Sequence, residues 1–393
     1  MNSMIPLSIP NFEGNESKYV NDALSQGWVS TGGAYIRKLE ERMSDFLHTE
    51  QTAACQSGTA ALHLSLIECG VQPGDLVIVP TLTFIAAVNP VKYQFADPVF
   101  MDCDDSLCMD PNKLEQFCRE ECEQTVDGLV HRNTGRRVKA LIVVHVFGNL
   151  ADLEAIMCIA DTYGLFVIED ATEALGTKYV EGKYADKYAG TIGDFGAFSF
   201  NGNKIITTGG GGAVTARKAE NVEHLRYLST QAKDDPHNYI HHEVGYNYRM
   251  TNLQAALGVA QMEELPEFIR RKQQHYKLYQ ELFEEFSLGK LLPFREGTSA
   301  NKWFYSLDIE IEKLEGDLYD LIGRLQEKGI QTRPIWGLIH EQKPYEQAIT
   351  YQMEQAQHYS KRILNLPCST QITEDEIRYV AKQVMAVITD MRK

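Results

Sequence analysis

Between about residues 50 and 215 the chain alternates short runs of nearly continuous Val, Ile and Leu with stretches whose apolar residues recur at helical spacing. Strands that are apolar on both faces need cover on both faces. This texture therefore predicts a mostly parallel sheet packed between helices. Strands are expected over 76–80, 99–102, 140–146 and 166–169, and helices over 58–69, 84–93, 111–122 and 152–163. Two further short strands, 197–200 and 212–215, are expected around a glycine-rich turn. The fold class is α/β.

After Thr251 the texture changes. A long helical stretch runs from 252 past 261 and on from 267 to 286, 303–311 alternates like a strand, and 314–328 reads as a helix. A closing helix runs to about residue 392, with Thr373 and Glu376 as its capping box. We expect an N-terminal segment and large domain over residues 1–264 and a smaller α+β domain over 265–393. A chain of 393 residues with 44% apolar residues can bury enough surface to fold without disulfides or metal. Its eight cysteines form no CxxC pair and no zinc-like spacing with histidine, so reduced thiols and no metal are expected.

A net charge of −16 excludes the broad positive field that nucleic acid or an anionic membrane surface would need. The most apolar stretch, 140–147, is far too short for a membrane span. The N-terminus has neither a basic start nor a long apolar run, so a cytoplasmic protein is expected.

Three segments carry chemistry. In 198–214, FSFNGNKIITTGGGGAV, Lys204 lies between two apolar runs and is followed by four glycines. A lysine in a partly dry turn has its charged form disfavoured and can serve as a Schiff-base nucleophile. The alternative is a flexible hairpin with a solvated lysine; no GK[ST] follows the glycines, so a Walker phosphate loop does not fit. In FVIEDATEALG, Asp170 leaves the end of a core strand, the edge where α/β sheets bind ligands. Such an aspartate could hold a proton on a pyridine nitrogen, or simply cap a following helix. In ACQSGTAA, Ser57, Gly58 and Thr59 open a helix whose free N–H groups make an anion site, although the same residues suit an ordinary cap. Phe84 follows another strand and could stack on a flat ring or belong to the core.

The order of these pieces resembles the fold-type-I, pyridoxal-phosphate-dependent enzymes. Within them, the chain is similar to the nucleotide-sugar aminotransferases of the DegT/DnrJ/StrS family. The matching residues are 57–62 (SGTAAL), 169–171 (EDA), 193–200 (GDFGAFSF), Lys204 with its glycines, and 245–250 (GYNYRM), with 27–32 (GWVSTG) near the start. The segments NGNKIITTGGGG and QAKDDPHNYIHHEVGYNYRM look most like the aminotransferases of the legionaminic-acid pathway, the LegC type.

The resemblance implies a large domain with a mostly parallel seven-stranded sheet between helices and a smaller C-terminal domain. It implies that Lys204 forms the Schiff base and shuttles the proton, and that Asp170 pairs with the pyridine nitrogen. Phe84 would stack on the ring, and Ser57, Gly58, Thr59 and Ser199 would hold the phosphate. Asn247 would reach in from the neighbouring subunit of a homodimer with composite sites. Glu173 would also bind the cofactor; it stands where many family members have Gln or His, and a carboxylate there needs a proton or a partner.

L-glutamate would give its amino group to the cofactor, leaving pyridoxamine phosphate, which then aminates a nucleotide-linked ketosugar. The expected acceptor is UDP-2-acetamido-2,6-dideoxy-4-hexulose, with GDP-4-keto-6-deoxymannose as the rival. Trp28, Ser30, Lys233, Trp303, Tyr305, Arg333 and His340 are candidate sugar or nucleotide contacts. His145 reads as a satisfied core or surface group. The 3-dehydratase branch of this family has histidine where this chain has Lys204, which argues against it. A binding protein without turnover is the reading from another class. A nicotinamide enzyme would need G-x-G-x-x-G between an early strand and helix, and that pattern is absent.

Overall fold

A computed structural model describes residues 4–235 and 237–393. Seven strands form the heart of the large sheet: β1 (Thr52–Cys55), β2 (Leu76–Pro80), β3 (Asp97–Met101), β4 (Arg136–Val144), β5 (Phe166–Asp170), β6 (Phe195–Ser199) and β7 (Gly212–Ala216). Their order across the sheet is β1-β7-β6-β5-β4-β2-β3. Neighbours run parallel except around β7, which is antiparallel to both β1 and β6. These strands form the mostly parallel core that the resemblance implies. The apolar runs explain it, since every residue of β2 and all but the first of β5 are buried.

Three strands escaped the sequence reading and extend the sheet to ten. A hairpin of Cys122–Thr125 and Gly128–His131 adds to β4, and Ile349–Tyr351 returns from the C-terminal region to pair in parallel with β3. The hairpin was hidden because its first strand is mostly exposed and polar. The expected helix over 84–93 is instead a 3-10 turn (Ile85–Ala87) and a short helix (Asn89–Tyr93). Pro90 lies in the first turn of that second helix, where its missing N–H costs nothing.

Helix α1 (Gly58–Glu68) is buried on almost every face and packs against β6 and β7. Helix α2 (Asn252–Phe283) starts at a capping box of Thr251 and Gln254 and continues through Pro266. It therefore passes positions 264 and 265 without a break. Beyond it lies a four-stranded antiparallel sheet of β8 (Gly289–Leu291), β9 (Tyr305–Ile309), β10 (Arg333–Pro334) and β11 (Ile363–Leu366), in the order β8-β9-β11-β10. Helices α3 (Leu318–Glu327) and α4 (Glu374–Asp390) complete this part, with α4 packed on both α2 and α3. The expected Thr373–Glu376 capping box is present at the start of α4. Among the described residues, no helix is long and apolar enough to cross a membrane, and no cluster of His, Cys, Asp and Glu could hold a metal.

Candidate active site

The C-terminal ends of β4 and β5, the first turn of α1 and the turn after β6 enclose a cavity of about 440 Å³. Small-molecule sites usually span about 300–1,000 Å³. Eight of the residues singled out as catalytic or cofactor-binding line it: Ser57, Gly58, Thr59, Phe84, Asp170, Glu173, Ser199 and Lys204. Trp303, a candidate sugar contact, lines it as well.

One end of the cavity is built to take an anion. Ser57 sits in extended backbone ahead of α1, and its Oγ accepts a hydrogen bond from Ala60 N–H at 3.0 Å. The first N–H groups of a helix lack intrahelical acceptors, so Gly58 and Thr59 bring free donors to the cavity wall. The hydroxyls of Thr59, Thr172 and Ser199 stand beside them. The glycine run lets this end close up. A Cβ on Gly212 would lie 2.5 Å from the carbonyl carbon of Ser57 and 2.7 Å from the nitrogen of Gly58. Because those neighbours are backbone, Gly212→Ala is expected to push the first turn of α1 outward. Overpacking of this kind costs about 1–3 kcal/mol, to be read as a lower urea midpoint.

The other end carries two buried carboxylates. Asp170, at the end of β5, is 4% exposed, and its Oδ1 accepts from Thr172 N–H at 3.0 Å. Burial raises its carboxyl above the usual range, and the Thr172 bonds, Lys204 and His145 oppose that rise. Residues 171–177 form turns and no helix, so capping a following helix is not what Asp170 does.

Glu173 Oε2 accepts from Phe147 N–H at 2.8 Å, and its Oε1 lies 3.5 Å from Lys204 Nζ. Burial pushes this carboxyl up to about 7, although the Lys204 charge pulls the other way. Lys204 Nζ also stands 4.2 Å from the centroid of the Trp303 ring, a cation–π contact. Phe84, by contrast, is 55% exposed and supplies an open aromatic face at the rim.

Several lining residues escaped the sequence reading. Thr83, Val144, Thr172, Asn201, Asn203, Phe304 and Trp336 also face the cavity. Asn203 was legible as a neighbour of Lys204; its carbonyl accepts from Trp303 Nε1 at 2.8 Å and so fixes the indole beside the lysine. The Trp303 ring stacks on Phe304 at 4.0 Å, and Phe147 meets Trp336 at 4.7 Å. Nothing local in the sequence marks Trp336 as a wall of this cavity, because the small sheet brings it there.

The remaining candidates lie elsewhere in this chain. Asn247 is exposed, and its Oδ1 accepts from Gln231 Nε2 at 3.0 Å. Ser30 and Lys233 are exposed, as is Trp28, whose carbonyl accepts from Asn252 Nδ2. Arg333 is exposed on β10, with Nη1 donating to Thr332 O. His340 Nδ1 is bound to Thr81 Oγ1 at 2.6 Å.

Tyr305 requires a correction. It is fully buried in β9 and its hydroxyl donates to Lys272 O at 2.8 Å, so it is a core residue that does not reach the cavity. The texture of 303–311 could not distinguish two successive aromatics facing a cavity from one facing the core. His145 is a satisfied core group: Nδ1 accepts from Ala151 N–H, and Nε2–H donates to Glu169 Oε2 at 2.9 Å. The Glu169 carboxylate also takes the N–H groups of Gly190, Ile192 and Gly193.

Together these features suit a flat heteroaromatic ring with an anionic tail. They offer hydroxyls and helix N–H groups at one end, a buried carboxylate at the other, and an amine between aromatic walls. The profile of the DegT/DnrJ/EryC1/StrS aminotransferase family matches residues 10–385. EpsN of Bacillus subtilis (strain 168), whose name marks it as a candidate pyridoxal phosphate-dependent aminotransferase, is 35% identical over 381 residues, covering 96% of this chain and 94% of its own. GDP-perosamine synthase of Escherichia coli O157:H7 is 34% identical over 387 residues, covering 98% and 99%. The aminotransferase TlmJ from Streptoalloteichus hindustanus has the same fold, with a TM-score of 0.88 at 24% identity over 99% of this chain and 100% of its own.

Proposed function

The chain belongs to the DegT/DnrJ/EryC1/StrS aminotransferase family, and on that premise we propose a specific amination for it. It is a pyridoxal-phosphate-dependent sugar aminotransferase. The proposed reaction moves the amino group of L-glutamate to the 4-keto carbon of UDP-2-acetamido-2,6-dideoxy-4-hexulose. The product is UDP-4-amino-4,6-dideoxy-N-acetylglucosamine, for surface polysaccharide or nonulosonic-acid synthesis. What carries the reading at the site is the meeting of Lys204, Asp170 and the α1 N-terminus in one cavity.

Bound pyridoxal phosphate supplies an electrophilic aldehyde and an electron-accepting ring. The residues present fit it. Gly58, Thr59, Ser57 and Ser199 would hold the phosphate through backbone N–H and hydroxyl donors, and Phe84 would cover the ring. Asp170 would keep the ring nitrogen protonated. Its burial strengthens that pairing, because few other charges compete for it in a low-dielectric wall. Lys204 Nζ would act first as nucleophile and then as base, taking the proton from the α-carbon of glutamate and later delivering one to the aminated sugar carbon. Trp303 and Trp336 would shield these transfers from water.

Asn247, exposed and outside its own cavity, is proposed to serve the site of a second copy, giving a homodimer with composite sites. On the same proposal Trp28, Ser30, Lys233, Arg333 and His340 act on the sugar or nucleotide side. The division into a cofactor-binding part over 1–264 and a smaller part over 265–393 is likewise proposed.

The UDP-linked acceptor rests on the likeness of 201–212 and 231–250 to the legionaminic-acid pathway enzymes. A second reading, amination of GDP-4-keto-6-deoxymannose, is favoured by the 34% identity to GDP-perosamine synthase. Incubation with L-glutamate and a panel of UDP- and GDP-linked 3- and 4-ketosugars, followed by product NMR, decides between them. The proposal expects a 4-amino product from the UDP-N-acetyl substrate at a rate at least about tenfold above the GDP sugar, a difference of about 1.4 kcal/mol. Faster conversion of the GDP sugar would replace it with the second reading.

A further inference from the structure

The cavity contains more acid than the proposed chemistry uses. Asp170 accepts from Thr172 N–H and would be taken up by the ring nitrogen, whereas Glu173 faces the lysine amine. Glu173 is 4% exposed and held from two sides: Phe147 N–H binds its Oε2, and Asn301 Nδ2 donates to its main-chain carbonyl at 2.9 Å. Phe147 has a φ of 56°, a costly conformation for a non-glycine residue, so the turn that aims this N–H at Glu173 is held in place by its surroundings. Asn301 is fully buried and binds Leu175 O as well, fixing the loop that carries Glu173. The free oxygen, Oε1, is thereby directed at Lys204 Nζ, 3.5 Å away.

The proposed role of Lys204 demands a neutral amine at two moments, and each time the ammonium must first give up a proton. Trp303 presents its ring face to Nζ at 4.2 Å, and Asp170 and Glu173 add negative charge. The displaced proton therefore needs a nearby acceptor inside the cavity. The charged groups facing Glu173 are Lys204 and Asp170, with His145 beyond Asp170 and already bound to Glu169. The other walls, Trp303, Phe304 and Trp336, are neutral.

We propose that Glu173 is the proton partner of Lys204, taking a proton from the ammonium when the amine must react and returning it afterwards. The step converts Lys204–NH₃⁺ and Glu173–COO⁻ into Lys204–NH₂ and Glu173–COOH. One N–H bond breaks, one O–H bond forms, and no electrons leave the pair. The carboxyl, pushed up to about 7 by burial, accepts and releases a proton near neutral pH with little free-energy cost. The inference rests on the reading of Lys204 as the reacting amine.

The test measures Lys204 itself. The full chain, freed of cofactor, is acetylated with acetic anhydride across a pH series, and modification of Lys204 is followed by peptide mass spectrometry. Glu173→Gln keeps an oxygen for Phe147 N–H but removes the charge. The pH of half-labelling of Lys204 should fall by about one unit or more, the usual effect of losing a carboxylate at this range. An unchanged midpoint in Glu173→Gln would overturn the proposal and leave Glu173 as a loop anchor.

If that variant does not fold, the wild-type curve decides. Two coupled groups give a labelling curve with an inflection near pH 7, whereas a simple one-proton curve counts against the pairing. A control separates this proposal from the reading beneath it. Borohydride treatment of the cofactor-loaded wild type should fix the cofactor on Lys204. Absence of that label would remove the proposed role of Lys204, whereas a labelled Lys204 with an unshifted midpoint would refute only the role given to Glu173.

Discussion

Lys204→Ala is expected to abolish transamination, with kcat/KM lower by at least about 10⁴-fold, some 5.5 kcal/mol of lost transition-state stabilisation. The loss should be this large because one atom, Nζ, is assigned both covalent attachment and proton transfer, and among the described residues no other amine lines the cavity. Borohydride reduction should fix the cofactor in the wild type and leave the variant unlabelled. The substitution also removes the charge that holds the Glu173 carboxyl down. Glu173 should therefore titrate above its wild-type value of about 7 and be protonated at neutral pH. A carboxyl band that stays protonated to higher pH in infrared difference spectra would verify that sign. Retained turnover would remove Lys204 from its role.

Asp170→Asn should be nearly as damaging while sparing the fold. The amide oxygen of Asn can still accept from Thr172 N–H, so the turn after β5 keeps its anchor. What disappears is the negative charge opposite the ring nitrogen, and with it the reason for that nitrogen to remain protonated. We expect kcat to fall by at least about 10³-fold, near 4 kcal/mol, with an unfolding temperature within a few degrees of the wild type. Removing a buried carboxylate that burial already disfavours can even stabilise the chain. Activity within tenfold of the wild type would show that the ring is not activated from this side.

Much of the site was legible because its pieces are local. Ser57 to Thr59 announce a helix start after a strand, Asp170 ends an apolar run, and Lys204 precedes four glycines; each is a pattern within about ten residues. The large sheet was legible for a similar reason, since strands buried on both faces cannot be polar on either. The strands that were missed lack that mark: Cys122–Thr125 is mostly exposed, and Ile349–Tyr351 is only three residues long. Tyr305 was misplaced because an aromatic two residues after Trp303 gives no hint of which side of the small sheet it faces.

The sequence by itself determined the βα order, the strand-end aspartate, the helix start and the lysine turn, because each follows from periodicity or from backbone rules acting over a few residues. Only the tertiary structure decided that Glu173 faces Lys204 from 31 positions away, and that Trp303 and Trp336 wall them in from the C-terminal part of the chain. Such meetings are fixed by how the packed elements fill space around the cavity, and that packing leaves no trace in the spacing of residues along the chain.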